Sequence, residues 1–110
     1  MSTIAITARL VIEPARIDEY LAAAAEIAIP HTRAEAGCRL YAFARDIELP
    51  NVVWISEEWE SDAALGQHLQ SDHITRFLQK VADIQLLDMD VRKYSVSGIG
   101  SVTPPVVATA

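Results

Sequence analysis

Hydrophobic periodicity along this chain switches from two residues to about 3.6 and back, twice over, and the order of those switches leaves few folds open. Residues 3–12 put Ile4, Ile6, Ala8, Leu10 and Ile12 at alternate positions, which makes a strand with one strongly apolar face. Pro14 supplies a fixed φ suited to a helix start, with acidic Glu13, Asp18 and Glu19 around the first turn. Ile17, Tyr20, Leu21, Ala24, Ile27 and Ala28 follow at helical spacing. Pro30 should kink or interrupt this helix, because it removes a donor and crowds the preceding turn, and Gly37 is a stop signal. Residues 38–46 and 52–60 read as strands joined by a short turn containing Pro50 and Asn51, hence a hairpin. On the first of these strands Arg39, Tyr41, Phe43 and Arg45 are expected on one face, and Leu40, Ala42 and Ala44 on the other. The next helical region should come in two pieces, since Ser61 and Ser71 both have N-cap chemistry, with Asp62 and Asp72 behind them. Residues 85–97 give a last strand, with Leu87, Met89, Val91 and Tyr94 at apolar positions and Asp88, Asp90, Arg92 and Lys93 as a solvated face.

The order β-α-β-β-α-β is that of the split βαβ, ferredoxin-like motif: an α+β fold with helices on one face of a four-stranded antiparallel sheet. At 110 residues the chain suits one domain, expected over residues 1–97. Residues 98–110 hold two Gly, two Pro and no charge, and read as a C-terminal tail that packs on something, such as a partner subunit. The third strand carries Val53 and Ile55 on one face and Val52 and Trp54 on the other. With no further helices to cover the second face, a homodimer packed sheet on sheet is the simple solution.

The formal charge of −6 argues against nucleic acid or an anionic membrane as the main partner. No apolar run approaches the ~18 residues of a membrane span. The start of the chain lacks a secretory pattern, and the lone Cys38 suits a reducing compartment, so a cytoplasmic location is expected. Cys38 reads as a small core residue, with no neighbouring cation placed to activate its thiol.

Few residues carry chemistry. There is no P-loop and no Gly-x-Ser-x-Gly, and Gly98-Ile99-Gly100 lacks a third glycine and a following helix, so no nucleotide, flavin or nicotinamide cofactor is expected. His68 and His73 stand five apart, about 140° around a continuous helix; a break at Ser71 would be needed to bring both into one cleft. Zinc is disfavoured and no metal is expected, because no Cys or third His lies near them in sequence. Glu57 and Trp59 share one side of the third strand. If that side lies under the helices, Glu57 is partly buried with a raised pKa and becomes a candidate base; otherwise it is a rim carboxylate paired with an arginine. Trp59 is either core or ligand wall, and its N–H needs a partner when buried.

Three segments resemble a known family. Glu35-Ala36-Gly37-Cys38-Arg39-Leu40-Tyr41 is similar to the E-x-G-C-x-x-Y run of the antibiotic biosynthesis monooxygenase domain. Glu57-Glu58-Trp59-Glu60-Ser61 is similar to its E-x-W-x-S segment. Ala64-Leu65, His68 and Ser71-Asp72-His73 are similar to its A-L-x-x-H-x-x-S-x-H segment. The resemblance spans about residues 3–95 and implies a dimeric α+β barrel, with a pocket in each subunit between sheet and helices. Several members oxidise quinols or polycyclic phenols with molecular oxygen and no flavin or metal; others degrade haem or isomerise small metabolites. Haem is disfavoured here, because haem-degrading relatives carry a strand-one Asn where this chain has Ile6, Thr7 and Ala8. The expectation is therefore a cofactor-independent monooxygenase acting on a small hydrophobic quinol or phenol. An imidazole, with an ordinary pKa near 6.5, suits the base, so His68 or His73 takes that role, with Glu57 as a further candidate. Trp59 would act as donor and wall, and Tyr41 and Phe43 as walls around the substrate. Two alternatives stand beside this: a small-metabolite isomerase or lyase using the same His and Glu57, and a non-enzymatic dimer that binds a hydrophobic ligand.

Overall fold

The computed structural model describes residues 2–107; Met1 and residues 108–110, the end of the expected tail, lie outside the described residues. Strands β1 (Thr3–Ile12), β2 (Cys38–Arg45), β3 (Val52–Trp59) and β4 (Leu86–Val96) form one sheet in the order β2-β3-β1-β4, with every neighbouring pair antiparallel. The helical segments are α1 (Ile17–Ala23), α2 (Ile29–Arg33), α3 (Asp62–Leu69) and α4 (Asp72–Lys80). This is the four-stranded, ferredoxin-like α+β fold that the periodicity predicts. Register explains the core: Ile4, Ala8 and Leu10 of β1 stand opposite Trp59, Ile55 and Val53 of β3, all buried beneath the helices. From the helix side Ile17, Tyr20, Ala24, Ala28, Leu65, Ile74 and Phe77 pack onto them.

The first helical region is interrupted, as Pro30 requires, but without leaving the helix. Residues Ala24–Ala28 form a π turn between α1 and α2, in which the Ile29 N–H reaches back to the carbonyl of Ala24. Pro30 has no N–H to offer the carbonyl four residues before it, and the wider turn absorbs that missing bond. The second region breaks as expected. Ser61 Oγ accepts from the Ala64 N–H at 3.1 Å and Ser71 Oγ from the Ile74 N–H at 3.4 Å, so each serine starts its own helix.

Three expectations need correction. The register of β2 slips between Cys38 and Leu40, and this bulge turns Arg39 to the open side of the sheet, where its guanidinium donates to Thr3 Oγ1 at 2.9 Å. Arg39 therefore does not share a face with Tyr41, while Cys38 stands opposite Trp59 and packs against the core. The expected solvated face of β4 loses one member: Asp88, Asp90 and Arg92 pair with Val11, Arg9 and Thr7 on the open side, whereas Lys93 does not lie with them. Lys93 pairs with Ile6 on the helix side and reaches Asp62 at 3.1 Å, away from the acidic row of that strand. The helix layer stops short of this edge, and Leu86, Leu87, Met89 and Val91 are all exposed. Finally, Gly37 stops no helix through a left-handed backbone, since no glycine has positive φ among the described residues. Glycine is required there by close approach: a Cβ on Gly37 would lie 2.4 Å from the Cβ of Ala64.

Residues 98–107 have no regular structure, and Ile99, Val102, Val106 and Val107 are exposed. Among the described residues no helix is long and apolar enough to cross a membrane.

Candidate active site

The break at Ser71 does what a continuous helix could not. His68 from the last turn of α3 and His73 from the first turn of α4 both point to one carboxylate, that of Glu35 in the loop after α2. Glu35 Oε2 lies 2.8 Å from His68 Nδ1 and 3.0 Å from His73 Nε2. Ser71 anchors the junction, donating its hydroxyl to the His68 carbonyl at 2.7 Å, with its Oγ 3.2 Å from His73 Nε2. His31 from α2 stacks on His73 with ring centroids 5.8 Å apart, so all three histidines of the chain meet here. Glu35 stands inside the E-x-G-C-x-x-Y run, yet neither it nor His31 is identified as a site residue by sequence spacing. A contact between residue 35 and residues 68 and 73 is tertiary, and local periodicity carries no signal for it.

Trp59 and His68 pack against each other. The indole is fully buried and the imidazole is 3% exposed, with ring centroids 4.5 Å apart. Tyr41 meets both rings edge-on, at 5.3 Å from His68 and 6.4 Å from Trp59. Phe43 continues the array, 5.5 Å from Tyr41 and 6.3 Å from Phe77. Tyr41 and Phe43 thus share the helix side of β2, as their spacing requires. Tyr41 also borders a surface cleft of about 270 Å³, together with Arg33, Cys38, Arg39 and Leu40. Arg33 Nε donates to the Tyr41 carbonyl at 2.9 Å. The buried hydroxyl of Thr32 makes no hydrogen bond; it lies close to the Tyr41 hydroxyl, but the geometry falls short of one.

One expected role changes. The Trp59 N–H, anticipated as a donor to a ligand, is given to Glu57 Oε1 at 2.9 Å. Residues two apart on a strand project from the same face, and the indole and carboxylate are long enough to meet across that gap. Glu57 is under the helices, and burial raises its carboxyl pKa; the Trp59 N–H and nearby His68 pull it partly back. Burial also pushes the Tyr20 hydroxyl up to about 12, and it raises Tyr41 further, with Glu57 adding to the effect. The Cys38 thiol is raised by burial and then by the charges of Glu35 and Glu57, which makes it a poor nucleophile.

The Glu57 shift has a consequence for stability. A carboxylate with a folded pKa above its unfolded one destabilises the fold at neutral pH, and that cost disappears as pH falls below the unfolded value near 4.3. Glu57→Gln keeps a carbonyl to accept the indole N–H and removes the charge. The variant is expected to melt higher than the parent at pH 7, with the difference shrinking to nothing as pH drops through the window above about 4.3. Melting curves across that range check it; a variant that is less stable at neutral pH would contradict the assignment.

A model of the family described as antibiotic biosynthesis monooxygenase matches residues 3–80, most of the chain and every element up to the end of α4. Protein sll1783 of Synechocystis is 26% identical over 94 residues, covering 86% of this chain; the chain spans 63% of that protein, less than two thirds of its length. YcnE of Bacillus subtilis is 26% identical over 94 residues and is covered to 98%. Among solved structures, Rv0793 of Mycobacterium tuberculosis superposes with a TM-score of 0.80 at 25% identity, covering 91% of this chain and 100% of that one. The chain belongs to the antibiotic biosynthesis monooxygenase family.

Proposed function

We propose that this protein is a cofactor-independent monooxygenase that oxidises a small hydrophobic quinol or phenol with molecular oxygen, working as a homodimer closed through the open sheet face. The observation that supports it most is the Glu35–His68 pair set against Trp59 and Tyr41, in a chain of this family. An ionised Glu35 accepts from His68 Nδ1–H and holds the imidazole in the tautomer whose Nε2 carries a lone pair. Among the described residues no protein group bonds that Nε2, so it is the base in this reading. We put the substrate in the cleft lined by Arg33, Cys38 and Tyr41. His68 is not in that lining but lies behind the Tyr41 ring, 5.3 Å between centroids, so the substrate must reach past Tyr41 to meet it.

The overall reaction balances as phenol plus oxygen giving quinone plus water. His68 takes the phenolic proton, and the phenolate passes one electron to oxygen. The resulting radical and superoxide join at the para carbon. His68 returns its proton to the outer peroxide oxygen, the O–O bond breaks, and the carbon gives up its own proton to the departing hydroxide, so water leaves and a carbonyl remains. An oxygen electrode tests this with 1-naphthol, whose para carbon bears a hydrogen, as probe. Oxygen uptake in step with quinone formation, above the uncatalysed rate, is expected. Product that forms equally well without oxygen would assign the same scaffold to an isomerase or lyase instead, and no turnover at all would overturn the enzymatic reading.

A further inference from the structure

We propose that Glu35, His68 and His73 form a binding site for a divalent late transition-metal ion such as Zn²⁺ or Co²⁺, and that the ion switches the site off. The three ligand atoms lie within 4.8 Å of one another. Zinc holds imidazole nitrogen and carboxylate oxygen at about 2.0–2.2 Å, which in tetrahedral geometry spaces the ligands about 3.4 Å apart. The nitrogen–oxygen gaps of 2.8 and 3.0 Å are about half an ångström shorter than that spacing, so the side chains spread slightly to admit the ion. Two imidazoles and one carboxylate make an intermediate donor set that suits zinc, cobalt, nickel or copper and disfavours calcium or magnesium. Three protein ligands leave at least one position for water.

The surroundings are those of a held site. Trp59 packs on His68, His31 stacks on His73, and Ser71 fixes the turn between the two ligand histidines. The ion has a way in from solvent: the side chains of His73 and Glu35 are 15% and 20% accessible and His31 is exposed, so the core need not open. The apo network and the metal site exclude each other. Coordination at His68 Nδ1 forces the imidazole proton onto Nε2, which removes the lone pair that the oxygenation reaction would use.

Metal binding does not depend on the oxygenase reading and is measured without substrate. Chelator-treated full-length protein is titrated with CoCl₂, following visible d–d absorption and tryptophan fluorescence. Saturable binding of one ion per chain is expected, with intense low-coordinate bands, quenching of Trp59 and displacement by Zn²⁺. Glu35→Gln and His73→Gln should each weaken binding by more than the roughly tenfold loss that follows removal of a partner outside the ligand set. Both lie at the accessible side, and circular dichroism confirms that they fold. His31→Ala should alter binding only a few-fold. Absence of a saturable band, or equal affinity in the parent and the Glu35→Gln and His73→Gln variants, would overturn the site. In the oxygen electrode, added Zn²⁺ should abolish uptake and a chelator should restore it; uptake unchanged at saturating Zn²⁺ would overturn the switch while leaving the oxygenase reading in place.

Discussion

Trp59→Ala is expected to destabilise the fold by roughly 3–5 kcal/mol, the largest single effect of any substitution considered for this chain. The indole is fully buried between β1 and the helices, opposite Ile4 in the sheet and packed on His68 and Tyr41. Truncation removes the apolar contacts and leaves a cavity that rigid neighbours fill only in part. It also strips Glu57 of its hydrogen-bond donor while the carboxylate stays under the helices. Domains of this size have about 5–15 kcal/mol of stability in total, so the variant should be close to unfolding at ordinary temperature. Trp59→Phe helps to separate the two contributions, since it keeps a six-membered aromatic ring while losing the N–H and the smaller part of the indole. Urea unfolding followed by circular dichroism measures both. A loss below about 1 kcal/mol in Trp59→Ala would show that the indole is not the anchor its burial indicates.

His68→Gln should lower oxygen uptake by roughly 10²–10⁴-fold, the range that a positioned general base contributes. Glutamine is close in size and keeps a polar group toward Glu35, so the effect is on chemistry more than on packing. His73→Ala should cost much less. His73 shares Glu35 with His68 but sits at the solvent side, whereas His68 alone faces both Trp59 and Tyr41. Glu35→Gln should fall between them, since an amide can still accept from Nδ1–H but no longer stabilises the imidazolium. Equal turnover in the parent and His68→Gln would remove the imidazole from the mechanism, whatever its geometry.

Sequence periodicity was sufficient for the architecture because each element announces itself locally. The alternation of Ile4 to Ile12 fixes which side of β1 is buried, and the serines at 61 and 71 fix where α3 and α4 begin. The same break at Ser71 makes a shared cleft for His68 and His73 conceivable. What could not be read was anything set by one residue out of step. The bulge at Arg39 reverses the side on which Cys38 lies, and no composition signal distinguishes a bulged strand from a regular one. The solvated face of β4 was misassigned at one position for a related reason: Lys93 falls out of phase with Asp88, Asp90 and Arg92. The partner of the two histidines was invisible for a different reason. Glu35 is one carboxylate among fifteen acidic residues, and only the packing of the α2–β2 loop on α3 brings it to them.

That packing rests on Gly37 and Ala64, where no room exists for one further methyl group. Gly37 follows Glu35 by two residues, and Ala64 lies one helical turn before His68 on the same side of α3. The pair therefore acts as a gauge block between the carboxylate and the imidazole. Enlarging either member would pry the loop from the helix and lengthen the hydrogen bond beyond it, so a methyl group can be added at position 37 only if one is given up at position 64.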